Sequence, residues 1–294
     1  METVSRLSKL LPEAVMRETG PLPEDMTELR LRAGQPAEVV RLSGAALVGG
    51  EISAQLVAQA AQKLAGHSLY AREEELREGY FTVEGGCRVG VCGRMTATEG
   101  RPAALTHVGS VCVRIARAVE GAADGVMDAL FEAGRPVSAL IVSPPGMGKT
   151  TLLRDIARQM SDGTGGRAGV RVSIADERGE LAGCAMGVPT LNVGRRTDVM
   201  DGCPKRVGMR LLLRAMSPEV IVTDELGHEG DREAVMDAVR SGVRVIASVH
   251  ARDEAEAAAR LKGMDMGVFE RVVVLGSGVG QVRRITRVGR GFPG

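Results

Sequence analysis

The stretch from Ile141 to Thr151, IVSPPGMGKTT, constrains this chain more than any other. A short apolar run ends in a turn rich in Pro and Gly, and that turn opens straight into a helical pattern, TTLLRDIARQM. Buried strand, glycine loop and helix start in that order surround one point with backbone N–H groups and a helix N-terminus, which makes a phosphate cradle. The pattern is G-x-x-x-x-G-K-[ST], with Ser143 standing where its first Gly belongs. Lys149 is expected to reach the β and γ oxygens of ATP, and Thr150 to offer its hydroxyl to Mg2+, which takes octahedral oxygen ligands and keeps several waters. Ser143, Pro144, Pro145, Gly146, Met147, Gly148, Lys149, Thr150 and Thr151 are therefore the expected ATP-binding residues.

A cradle alone is shared by many unrelated activities. The second half of a hydrolytic site is PEVIVTDELGH, an apolar strand ending in Asp224 and Glu225. Alone, a strand-terminal acidic pair is as often a solvated turn; downstream of a phosphate cradle it reads as a Walker B element. Asp224 is then a metal residue beside the Mg2+ shell, and Glu225 the general base that polarises water. VRVIASVHA ends a further strand with Ser248 and His250. His250 is either a γ-phosphate sensor that repositions Glu225 or a structural hydrogen-bonder. SIADERGELAG puts Asp176, Glu177, Arg178 and Glu180 at another strand end, as surface ion pairs or as a catalytic set in which Arg178 acts on the nucleotide. Arg195, Arg196, Lys205, Arg206, Arg210 and Arg214 read as a solvated helix face or a subunit interface, any arginine of which could relieve charge. Arg88, Arg94, Arg114 and Arg117 lie on or near strands of the N-terminal part and could also reach nucleotide.

Around the motifs, VSALIVS, GVRVSIA, PEVIVTD and VRVIASVH are near-continuous apolar runs, as in parallel strands covered on both faces. RVVVL and QVRRITRV look like a closing hairpin. The N-terminal part is different. Residues 1 to 19 predict a leading helix, 29 to 48 short strands, 54 to 64 a helix opened by Ser53, and 68 to 76 a second short helix. A hairpin turns at Gly85-Gly86, a half-buried strand follows, and EGAADGVMDALFEAGRP predicts a helix. The chain is expected to be α/β, with a small α+β domain over 1–118 and a P-loop NTPase domain over 119–294.

Composition narrows the partners. A net charge of +1 over 294 residues, two Tyr, four Phe and no Trp leave little for a nucleic-acid channel, so no nucleic acid is expected. Five cysteines without a C-x-x-C pair suit neither a disulfide framework nor a zinc site, and point to a reducing cytoplasm. No run approaches the ~18 to 20 apolar residues of a membrane span.

Taken in order, PPGMGKTTLLRD, ADERGELAG, TDVMDGCPK, RAMSPEVIVTDELG and SVHA resemble the stage III sporulation protein AA family, ATPases of endospore-forming bacteria related to type II and type IV secretion ATPases. ELRLRAGQPAEV, GCRVGVCGR and SVCVRIAR extend the resemblance through the small domain. It implies a RecA-like core, a hexameric homo-oligomer with ATP between subunits, and recruitment from the mother-cell cytoplasm to membrane proteins of a channel toward the forespore. It also makes Asp176 to Glu180 an acidic box, Asp224 and Glu225 the Walker B pair, and His250 a histidine box. Ser143 departs from the pattern, as does Cys87, which stands where GGHRVG is expected. An alternative from the core alone is a RecA-like ATPase acting on nucleic acid, as a helicase or loader.

Overall fold

The computed structural model describes residues 2–288, apart from 42, 70, 71, 73, 74, 77, 78, 84, 99, 100, 116–118 and 277. Two compact units divide them: residues 1–117 with 183–185, and residues 118–182 with 186–294.

In the first unit the chain begins with two helices, α1 (Glu2–Leu10) and α2 (Glu13–Thr19), where the sequence predicts one. Pro12 is the reason. It lacks an N–H, disfavours helical geometry in the residue before it, and is tolerated at a helix start, where it precedes α2. Strands β1 (Met26–Arg32), β2 (Gln35–Arg41) and β3 (Gly44–Ile52) precede α3 (Ala54–Leu64), whose Ser53 cap accepts the Leu56 N–H at 3.2 Å. Strands β4 (Tyr80–Val83), β5 (Cys87–Thr98) and β6 (Arg101–Arg114) complete an antiparallel sheet in the order β3-β2-β1-β6-β5-β4. The hairpin at Gly85-Gly86 pairs Val83 with Cys87. Alternation puts Leu29, Leu31, Val89 and Val113 into a core with Leu7, Leu11, Val57 and Phe81. The short helix expected over 68–76 falls partly, and the candidate Arg117 wholly, outside the described residues.

The second unit opens with a helix much shorter than expected. Only α4 (Asp124–Met127) and a 3-10 turn (Asp128–Leu130) form before the strand pair β7 (Phe131–Glu132) and β8 (Arg135–Pro136). Ala133 and Gly134, both at positive φ, turn that hairpin where helical spacing had predicted continuation. Strands β9 (Ala139–Ser143), β10 (Val172–Asp176), β11 (Thr197–Asp201), β12 (Val220–Thr223), β13 (Arg244–His250), β14 (Arg271–Leu275) and β15 (Val282–Arg287) form one sheet in the order β11-β10-β12-β13-β9-β14-β15. All neighbours are parallel except the β14–β15 hairpin. The long α5 (Lys149–Asp162) follows the glycine loop; α6 (Lys205–Ala215), α7 (Glu229–Arg240) and α8 (Glu254–Arg260) complete the layers. Every residue of β9, β10, β12 and β14 is buried, as the apolar runs require of strands covered on both faces. The consequence for function lies in the register: Ser143 pairs with His250 and Ala175 with Thr223, so β9, β10, β12 and β13 all end at one edge.

Candidate nucleotide site at the strand ends

Beyond β9 the chain turns through Pro144, Pro145, Gly146, Met147 and Gly148 into α5. Gly148 sits at φ +86 with the Gly280 amide 3.3 Å from where a Cβ would lie, so this position needs glycine twice over. The Gly280 N–H donates to Met147 O at 3.0 Å, pinning the loop from the β14–β15 turn. No side chain caps the N-terminus of α5, which leaves its first N–H groups open for an anion.

Lys149 is buried and turned onto its own loop. Its ammonium donates to Pro144 O at 3.1 Å, Ser143 O at 3.3 Å and Ser143 Oγ at 3.4 Å. The departure at Ser143 acquires a physical role here: its hydroxyl donates to Pro144 O at 2.8 Å and adds an oxygen to the lysine's resting place. A fourth partner is His250 Nδ1 at 2.7 Å. Burial pushes the Lys149 ammonium down to about 8, against Glu225 and Asp224, which hold it up.

From Lys149 a line of contacts runs to the expected base. His250 Nε2 lies 3.4 Å from Glu225 Oε1, and Arg178 Nη1 lies 3.8 Å from Glu225 Oε2. Burial pushes the His250 imidazole down, and the Lys149 cation adds to the effect against Glu225. Both contacts are met by the neutral tautomer with its proton on Nε2, accepting from Lys149 and donating to Glu225; the hydrogen-bond network assigns it. The Glu225 backbone is at φ +23, a region a residue with a Cβ rarely adopts. Ser248 holds it there: the Glu225 N–H donates to Ser248 Oγ at 3.0 Å and the Leu226 N–H to Ser248 O at 2.7 Å.

Asp224 is buried beside this chain, with Oδ1 3.3 Å from the Lys205 ammonium. Lys205 corrects the sequence expectation. The sequence pattern groups it with a solvated or interfacial basic face, yet it is 5% exposed and also donates to Asp224 O at 3.1 Å and Glu225 O at 2.7 Å, with Glu177 Oε2 at 3.5 Å. Position was the missed signal: Lys205, Gly208, Met209 and Leu212, at the i, i+3, i+4 and i+7 spacing, are the buried face of α6.

In the acidic stretch the four charges separate. Asp176 is fully buried and accepts the Glu180 N–H at 2.9 Å, the Leu181 N–H at 3.0 Å and the Ala182 N–H at 2.8 Å. Burial pushes its carboxyl up to about 7, opposed by the Ala182 and Leu181 amides and reinforced by Asp224 and Asp201. The buried Arg154 of α5 donates to Glu180 O and Leu181 O, both at 2.6 Å. Asp176 and Arg154 thus fold the loop that carries Glu177 to Lys205 and Arg178 to Glu225. Arg195 pairs with Asp162 at 3.6 Å, and Arg210 with Glu233 at 3.3 Å and Asp237 at 3.2 Å, none of them in this cluster.

These residues suit a magnesium nucleotide. Among the described residues no group of three or more His, Cys, Asp and Glu could hold a metal ion unaided; Thr150 and Asp224 are the oxygen donors that would hold one together with phosphate. The second Asp224 oxygen accepts no hydrogen bond from any described residue.

Comparison with known proteins agrees with this layout. A relative from Bacillus subtilis (strain 168), stage III sporulation protein AA, is 37% identical over 251 residues, covering 84% of this chain and 81% of its own. The Legionella pneumophila ATPase DotB is similar in structure with a TM-score of 0.60 at 13% identity, over 92% of this chain and 76% of DotB. The pilus retraction motor PilT, solved with bound ADP, is similar with a TM-score of 0.58 at 15% identity, over 88% of this chain and 77% of PilT. The fold is the α/β, RecA-like P-loop NTPase fold. With the family model for sporulation stage III, protein AA, matching residues 2–289, the chain belongs to the stage III sporulation protein AA family.

Proposed function

We propose that this chain is a Mg2+-dependent ATPase that serves as motor or assembly ATPase of a secretion-like channel used in endospore formation. The observation that carries the reading is the contact line from Lys149 through His250 to Glu225, beside Asp224, at the mouth of an uncapped helix N-terminus.

The α5 N–H groups and Lys149 bind the β and γ phosphates of ATP; Lys149 leaves the Ser143 and Pro144 carbonyls to do so. Thr150 and Asp224 hold Mg2+, which when bound neutralises charge on the phosphate oxygens. Glu225 takes the proton of the attacking water, and the His250 Nε2–H and the Arg178 guanidinium fix the orientation of its carboxylate. His250 contacts both Lys149 and Glu225, so a lysine that moves onto phosphate changes the partner of the residue that positions the base. This is how His250 serves as a sensor.

Membership of the family supports the sporulation setting. The structural neighbours, an ATPase and a pilus retraction motor with bound ADP, support nucleotide turnover. The resemblance in motifs supports a hexameric ring with ATP between subunits, built from a small domain (1–118) and an ATPase domain (119–294), recruited from the mother-cell cytoplasm to membrane partners. Among the described residues no helix is long and apolar enough to cross a membrane.

The test is Glu225→Gln. Binding of a fluorescent ATP analogue should persist, and steady-state phosphate release should fall by two orders of magnitude or more, the scale of a lost water activator. Turnover equal to wild type removes Glu225 from the mechanism.

A further inference from the structure

Lys205 is an ammonium almost out of water, and the ATPase reading above has no use for it. Burying a lysine is costly unless its three N–H groups find acceptors. Here they do: Glu225 O at 2.7 Å, Asp224 O at 3.1 Å and Oδ1 at 3.3 Å, and Glu177 Oε2 at 3.5 Å. The acceptors belong to three functions of one cluster: the expected metal carboxylate, the main chain of the expected base, and the acidic stretch after β10.

Two of them are the carbonyls that flank the Glu225 Cα, where the chain leaves β12 and takes up φ +23. A residue in that region persists only where its surroundings over-determine it. Ser248 supplies restraint from β13 through the Glu225 and Leu226 amides. Lys205 supplies it from α6 through the carbonyls. Together they clamp the donors and the acceptors of one strained turn. The same ammonium meets Oδ1 of Asp224 and offsets part of the negative charge of Asp224 and Glu177.

We propose that Lys205 is a positioning residue of the hydrolytic centre: it clamps the turn that aims Glu225 and orients Asp224 while tempering its attraction for the metal. The proposal rests on the ATPase reading, and it carries a signature of opposite signs. Without the ammonium the cluster has one more net negative charge, so divalent-ion binding tightens, while the turn and its base are set free, so turnover falls. A general packing defect lowers both.

The experiment uses the full chain with Lys205→Met and Lys205→Arg. Three quantities are read: the Mg2+ concentration that half-saturates the metal-dependent gain in affinity for a non-hydrolysable ATP analogue, and kcat and KM for ATP. Lys205→Met should lower kcat at least tenfold with KM changed less than threefold, and shift the Mg2+ half-point at least threefold lower. Lys205→Arg keeps the charge, so its Mg2+ half-point should stay within twofold of wild type; it decides the matter if the Met variant does not fold. A Met variant with kcat within twofold of wild type, or a Mg2+ half-point moved upward, overturns the proposal, as does an Arg variant whose half-point moves by threefold or more. The metal readout needs no turnover. Failure of the ATPase reading therefore shows separately, as a wild-type protein that binds the analogue with Mg2+ and releases no phosphate.

Discussion

The two sheets of this molecule use polar residues in opposite ways. In the antiparallel sheet of the first unit, polar and apolar residues alternate along β1 and β2, so charges are spread over one face: Glu28 meets Arg30 at 2.8 Å and Arg114 at 3.3 Å, and Arg32 meets Glu38 at 2.6 Å. In the second unit the adjacent parallel strands β9, β10, β12 and β13 are largely apolar and turn polar where they stop, at Ser143, Asp176, Asp224 and His250. Parallel strands all stop at the same edge, so one rule of burial collects the chemistry at a single place. Alternation distributes charge and makes a solvated face; parallel order concentrates it and makes a site.

The largest effects that test this contrast come from the cores. Leu140→Ala in β9, fully buried, should cost about 2–5 kcal/mol by chemical denaturation. It should weaken nucleotide binding as well, because the cradle continues from that strand. Leu29→Ala in β1 is equally buried and should cost a similar amount, with affinity for an ATP analogue held by the folded protein within twofold of wild type. If Leu29→Ala weakens binding as much as Leu140→Ala does, the division of labour between the sheets is wrong.

A smaller effect follows from Lys149, whose ammonium is pushed down to about 8 by burial. Phosphate binding needs the charged form. Below pH 8 the lysine is already protonated; above it, binding must take up a proton, so affinity for the analogue should fall with rising pH by up to about tenfold per unit. Lys149→Met should abolish the slope, and a flat wild-type profile between pH 8 and 10 would sink the assignment. Stability runs the other way: the unfolded chain holds this proton up to the ordinary 10.5, so between 8 and 10.5 folding gains as pH rises.

Much of the second unit could be read from sequence for the reason that builds it. Runs such as ALIVS and VSIAD fit strands buried on both faces, and strand, glycine loop and helix in series leave one arrangement. What escaped has equally physical causes. Strand β11 is half-buried along its whole length at the sheet edge, so TDVMD shows neither an apolar run nor alternation. Ala122 to Phe131 carries helical spacing, and two residues at positive φ just beyond it end the matter. Lys205 looked like one more charge in a basic segment. Its place on the apolar stripe of α6, directly after Pro204, marks it as inward-facing, but no periodicity says that carbonyls wait there.

The smallest effect probes the solvated face itself. Glu28 is partly exposed and pairs with two arginines, and such pairs contribute about 0–1 kcal/mol each. Glu28→Gln should therefore cost about 1 kcal/mol or less. The same carboxylate accepts from the Cys112 thiol at 3.8 Å. Burial pushes that thiol up, Arg30 pulls it down, and Glu28 pushes it up again. Removing the Glu28 charge leaves Arg30 unopposed, so the thiolate becomes easier to form and Cys112 should alkylate faster at pH 8, read by peptide mass mapping with the exposed Cys92 as internal standard. A loss above about 3 kcal/mol, on the scale of breaking a buried pair, would mean that charge on this face is built as tightly as at the strand ends, and the contrast between the two sheets would fail.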